Sequence, residues 1–333
     1  MTIRSFIERH YHHFNARELK DAARAYEEHI EAGGKMMVTL AGAMSTARIG
    51  RIVAPAIRRG LVHAITCTGA NLEEDAYNLI GRNDYEPISD WRNLSAADEQ
   101  ALYDRNMNRV TDTAIPDDVM IDLEGQLIYR WKAACNSGRS DTPAAFMIDA
   151  LRDEGLKPKF QNPDESWLLA ADEFDIPIWT PGWEDSTSGN TFAAAVLKGE
   201  IPSHDCVESG TQQMERLARW YLENCDPAPG IGFFQLGGGI AGDFSICVVP
   251  MLTKDLKLED VPPWGYFCQI SDGVTSYGGY SGAVPTEKIT WGKLTENTPR
   301  FMIESDATIV APLIWAYLLD DADLDADLEA ESS

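Results

Sequence analysis

Apolar residues recur at helical spacing through residues 2–33, at Phe6, Ile7, Tyr11, Phe14, Ala22, Ala23, Tyr26 and Ile30, and predict an amphipathic helix. The rhythm then changes. Lys35–Leu40 is a short apolar run ending in Ala41-Gly42-Ala43-Met44-Ser45-Thr46, and a helix is predicted from Ala47 to Arg59, closed by Gly60. A second buried-strand run, Leu61–Cys67, ends in Thr68-Gly69-Ala70-Asn71 before the acidic helix start Glu73-Glu74-Asp75. Strand, small-residue turn and helix in repeated order predict an α/β fold with a doubly wound parallel sheet. Ligands of such sheets sit at the carboxyl ends of the strands. Small residues there let a backbone approach a cofactor, and helix N-termini favour its phosphates.

Further along, residues 82–118 are polar and read as loop. Helices are predicted from Met120 to about Cys135, from Pro143 to Glu154, over Asp164–Glu173 and over Gly210–Leu222. Strands are predicted at Ile176–Trp179, Ile231–Leu236, Tyr266–Ser271 and Arg300–Glu304. Residues 237–242, GGGIAG, fit the GxGxxG pattern between a strand and a helix that runs to about Leu252, with Glu259 a loose candidate for the accompanying acidic residue. Asp306-Ala307-Thr308 opens a last helix reaching about Leu319. The chain therefore divides into an N-terminal helical segment (1–34), one large domain (35–319) and an acidic tail (320–333) expected to be disordered.

Composition narrows the partners. The net charge is −25 over 333 residues, and only seven of those charges lie in the tail. Nucleic acid is excluded as a partner on this balance, since phosphate binding needs a positive surface. Small cations such as amines would be drawn in. Six scattered cysteines without a CxxC pair predict reduced thiols in a cytoplasmic protein. No run of eighteen apolar residues and no apolar leader core occur, so neither a membrane span nor secretion is expected. His10, His12 and His13 lack the companions of a metal site and are read as surface residues; no metal is expected.

The chemistry concentrates in SYGGYSGAVPTEKITWGK, residues 276–293. Lys293 follows a glycine-rich loop, two residues after Trp291 and six after Glu287. An uncharged lysine amine can attack a carbon–nitrogen double bond and hold the skeleton as a Schiff base. An indole can desolvate such an amine or hold a cationic substrate against its face. Spacing alone favours a turn lysine in a hairpin.

Together, the Thr68–Asp75 turn, Asp185 after a Pro-containing strand end, the glycines at 237–239, and EKITWGK followed by Asp306-Ala307 resemble the deoxyhypusine synthase family, from about residue 30 to 319. The resemblance implies a Rossmann-like sheet with flanking helices, and homotetramers whose active sites form between subunits. It also implies NAD-dependent aminobutyl transfer: spermidine is oxidised, the imine is captured by a lysine, and the butylamine passes to an acceptor amine. On it, Lys293 is the Schiff-base lysine, and Glu287 and Trp291 contact the polyamine. Glu74 lies near cofactor and amine. Gly42, Ala43, Ser45, Thr46, Thr68, Gly69, Asp185, Gly238, Asp272, Gly273, Asp306 and Ala307 fall on cofactor-contact positions.

The departures from the family pattern lie in the amine pocket. Asp243 stands where the family has a general acid/base histidine, Cys247 where it has an asparagine, and Asn190 and Tyr280 where it has aspartates. A carboxylate at 243 suits an ammonium or a guanidinium fork. The expected function is aminoalkyl transfer from a polyamine or agmatine-type donor to a small amine, giving a homospermidine-like product. The alternatives are a true deoxyhypusine synthase acting on a protein lysine, and a non-catalytic NAD- or polyamine-binding relic.

Overall fold

In the computed structural model, which describes residues 1–275 and 278–319, the N-terminal pattern forms two helices, α1 (Ile3–His10) and α2 (Phe14–Glu31). The single helix expected over 2–33 is broken where Tyr11 and His13 are extended and Phe14 adopts a φ of 55°. The break folds α1 back along α2, joined by the ion pairs Arg4–Glu27 and Arg24–Glu8. Ile7, Leu19, Ala22, Ala23 and Tyr26 from this pair enter the main core. The acidic tail and the loop residues 276 and 277 lie outside the described residues.

Among the described residues the strands are β1 (Lys35–Leu40), β2 (Ala64–Cys67), β3 (Glu86–Pro87), β4 (Met107–Val110), β5 (Thr113–Pro116), β6 (Ile178–Trp179), β7 (Ile231–Leu236), β8 (Tyr266–Ser271) and β9 (Arg300–Glu304). Between them run α3 (Gly50–Arg58), α4 (Gly69–Gly81), α5 (Ala96–Tyr103), α6 (Asp117–Ser137), α7 (Pro143–Leu151), α8 (Trp167–Glu173), α9 (Thr187–Leu197), α10 (Gly210–Asn224), α11 (Gly239–Ile246), α12 (Val248–Pro250) and α13 (Glu287–Thr290). The last helix is α14 (Ala307–Leu318).

Six strands form one parallel sheet in the order β6-β2-β1-β7-β8-β9. The chain steps outward from β1 through β2 to β6, then returns to the other side of β1 for β7, β8 and β9. The order therefore reverses between β1 and β7, where an open α/β sheet leaves its ligand crevice. Leu40 pairs with Leu236, so the two strands end level at that crevice. Burial on both faces explains the nearly unbroken apolar runs of β1, β7 and β8. Alternation sends Phe233 into one core layer with Phe267 and Trp264, and Phe234 into the other with Tyr26 and Trp315.

Several expectations needed correction. The polar stretch 82–118 contains α5 and a small antiparallel sheet, β3-β5-β4. Its strands are two to four residues long, too short for a period-2 signal. Helix α5 is fixed by a capping box between Ser95 and Asp98 rather than by an apolar stripe. Helix α9 went unread because its first turn, TSGN, has loop composition; Ser186 caps it and Glu73 receives its free amides. The helix expected to run on to Leu252 is segmented into α11 and α12 and ends in a π turn over Met251–Asp255.

Candidate active site

Helix α13 is one turn long, and the residues after it decide where Lys293 goes. Gly292 takes a left-handed φ of 74°, which favours glycine, and the Lys293 amide donates to the Lys288 carbonyl at 3.1 Å. This is the six-to-one closure of a Schellman turn. The Lys293 carbonyl in turn accepts from the amide of the fully buried Trp264. The backbone is thus pinned on both sides, and Lys293 is 6% exposed.

Lys293 lines a cavity of about 530 Å³ with Asp243, Cys247, Tyr280, Glu287, Lys288 and Trp291. Its Nζ lies 3.6 Å from Asp243 Oδ1 and 5.8 Å from the centre of the Tyr280 ring. Asp243 and Cys247 are one turn apart at the end of α11, and the Cys247 thiol donates to the Asp243 carboxylate at 3.4 Å. Burial pushes the thiol above its ordinary pKa, against the lowering charge of Lys293. Trp291 is 56% exposed, with Lys293 and Lys254 both near its ring. It walls the cavity from one side rather than enclosing the lysine. The Tyr280 hydroxyl donates to Gln235 of β7, and Gln269 of β8 donates to the Ser281 carbonyl. These two buried glutamines tie the glycine-rich loop to the sheet. Lys288 is the charged lining residue to which the sequence assigned no role; only its place just before Lys293 distinguishes it there.

The second group of predicted residues surrounds the β1–β7 crevice. Gly42 turns at a φ of 60°, and its carbonyl accepts from Thr68 Oγ1 and Asn71 Nδ2. Thr68 caps α4, and a Cβ on Gly69 would lie 2.6 Å from that of Ser186. The Ser45 hydroxyl is already engaged, donating to Asn71 and accepting from Trp167. Ala43 lies in the same turn, where its carbonyl accepts from the Thr46 amide. Gly238 precedes α11, and a Cβ there would strike Ser281 Oγ at 1.8 Å.

The acidic run at the start of α4 separates into three roles. Glu73 caps α9, and Asp75 accepts from Ser166 and the Leu168 amide at the start of α8. Glu74 alone points into the turn, 7% exposed, with Oε2 lacking a hydrogen-bond partner. Burial pushes its carboxyl up to about 7, opposed by the nearby Thr46 hydroxyl and aided by the Glu73 charge. Thr46 Oγ1 is likewise without a partner. Buried polar atoms are normally satisfied. Two orphaned ones beside a tight glycine turn and a helix N-terminus fit the hydroxyls and phosphates of a dinucleotide.

The remaining predicted residues also follow sheet strands, but farther out. Exposed Asp185 follows β6, and Asn190 lies on α9; neither Asn190 nor Glu74 lines the lysine cavity. Asp272 and Gly273 follow β8, where the Gly273 amide donates to Ser271 Oγ. Asp306 caps α14 by accepting from Thr308, and Ala307 is buried behind it. Exposed Glu259 is not among the residues lining the lysine cavity.

A sequence profile described as deoxyhypusine synthase matches residues 7–318. A deoxyhypusine synthase-like protein of Cyanothece sp. is 26% identical over 327 residues, covering 96% of this chain and 79% of that one. Probable deoxyhypusine synthase 1 of Archaeoglobus fulgidus is 27% identical over 308 residues, covering 92% and 90%. Among solved structures, an Entamoeba histolytica chain provisionally named deoxyhypusine synthase superposes with a TM-score of 0.57 at 11% identity, covering 95% and 92%. That last likeness concerns the fold.

Proposed function

The chain belongs to the deoxyhypusine synthase family, and from that premise we propose that it is an NAD-dependent aminoalkyl transferase in which Lys293 carries the moving four-carbon unit. The observation that carries this reading is a buried lysine in a cavity, facing Asp243 at 3.6 Å. When bound, NAD supplies hydride removal from the donor's amine-bearing carbon and hydride return to the product. Thr46 and Glu74 would hold its polar groups at the β1–β7 crevice, with the Thr68–Gly69 turn and Gly238 allowing close approach.

The chain's own residues do the rest. The uncharged Lys293 amine attacks the carbon of the donor-derived iminium, and the bond from that carbon to the departing nitrogen breaks. One proton passes from Nζ to the departing amine, with Asp243 close enough to hold it in transit. The skeleton then rests on Nζ as a protonated imine. An acceptor amine reverses the exchange at the same carbon and frees Lys293. Glu287 and Trp291 face the cationic substrate, the carboxylate by charge and the indole by its ring face.

The donor is a polyamine or agmatine-type amine and the acceptor a small amine. Asp306 and Ala307 lie three strands from β1, roughly 14 Å across the sheet. They would serve a site shared with a neighbouring chain of a homotetramer. Borohydride reduction after incubation with NAD and a candidate donor should leave a donor-derived adduct on Lys293. Absence of an adduct with every di- and polyamine would reduce the protein to a binder. Product mass after adding acceptor distinguishes a small amine from a protein lysine.

A further inference from the structure

Lys288 is 3% exposed, yet it forms no ion pair among the described residues. Its Nζ donates to the Ala283 carbonyl at 3.3 Å and sits 4.9 Å from the Phe267 ring centre and 5.1 Å from that of Tyr280. Burial, seconded by the charge of Lys293 and opposed by the more weakly acting carboxylates Glu287 and Asp243, holds its amine down to about 8. The same residue lines the lysine cavity, whose charged side chains are two carboxylates, Asp243 and Glu287, and two lysines. Asp243 already faces Lys293. A buried ammonium with no carboxylate in direct contact is costly unless a ligand supplies one. A cavity serving only polycations gains nothing from it, because like charges at this depth repel.

We infer that Lys288 sets the specificity of the cavity for an amine that also carries a carboxylate, with the carboxylate towards Lys288 and the amine towards Asp243 and Lys293. The substrate class is thus an amino-acid-type amine, in at least one of the two amine positions. The inference rests on the amine chemistry proposed above.

Calorimetric binding of a matched pair to the full chain with NAD tests it: 1,4-diaminobutane and its carboxylated counterpart ornithine. The wild type should bind ornithine at least tenfold more tightly. Lys288→Met should erase that preference while binding 1,4-diaminobutane at least as well, and Lys288→Arg should restore it. Equal or tighter binding of 1,4-diaminobutane by the wild type, binding of neither amine, or parallel loss of both in Lys288→Met would overturn the inference. Because binding needs no turnover, a carboxylate preference without any trapped adduct would remove the transferase reading alone. An adduct from 1,4-diaminobutane with no carboxylate preference would do the reverse.

Discussion

Three adjacent carboxylates at the start of α4 show how little a residue type says about its use. Glu73 and Asp75 hold up neighbouring helices, and only Glu74 is left with an unsatisfied oxygen. With its carboxyl raised to about 7, Glu74 is protonated more fully in the folded chain than in the unfolded one between about pH 4.5 and 7. Stability should therefore fall as pH rises through that window. Glu74→Gln, melted without NAD, should lose the share of this slope that Glu74 contributes, leaving that of buried Asp75, and gain about 3 kcal/mol at pH 8 relative to wild type. An unchanged difference between melts at pH 5 and pH 8 would show that the carboxylate is not strained. At the other site, Lys293→Arg keeps a positive charge but supplies no amine for the exchange. It should retain NAD binding by fluorescence while turnover drops by roughly 10³-fold or more.

At the level of elements, the one-turn helix α13 works as a delivery device. Gly292→Ala meets no side chain, since nothing lies within 4 Å of the added carbon, but it forces a left-handed alanine. The expected cost is about 1–2 kcal/mol in urea unfolding, with adduct formation on Lys293 slowed further because the turn no longer presents it. Stability and adduct formation both at wild-type levels would mean that the turn tolerates alanine without moving the lysine. The six sheet strands were legible in the sequence because burial on both faces leaves apolar runs bounded by small residues; β7, β8 and β9 were read to the residue. The N-terminal break, α5, β3-β5-β4 and α9 were not. Each is fixed by caps or by tertiary contacts that polar sequence does not advertise, such as Glu73 reaching α9 across more than a hundred residues. In the candidate site, the WGK turn was legible as a motif. Lys288, whose interest lies in what surrounds it, was not.

Across the whole molecule, the charge of −25 should show in binding kinetics. For a polyamine donor, raising salt from about 50 mM to 0.5 M shrinks the Debye length to a few ångströms. KM should rise several-fold while kcat stays put, and a flat KM would confine the attraction to the cavity itself. The sheet also joins the lysine cavity to the β1–β7 crevice, because Tyr280 of the cavity donates to Gln235, whose own amide donates to the carbonyl of Gly237 in the crevice turn. A relay of this kind is expected to couple occupancy at its two ends. Cofactor and amine should each sharpen the other's affinity by one common factor, as thermodynamic reciprocity requires. Tyr280→Phe should bring that factor close to unity, turning a site that fills in concert into two that fill independently.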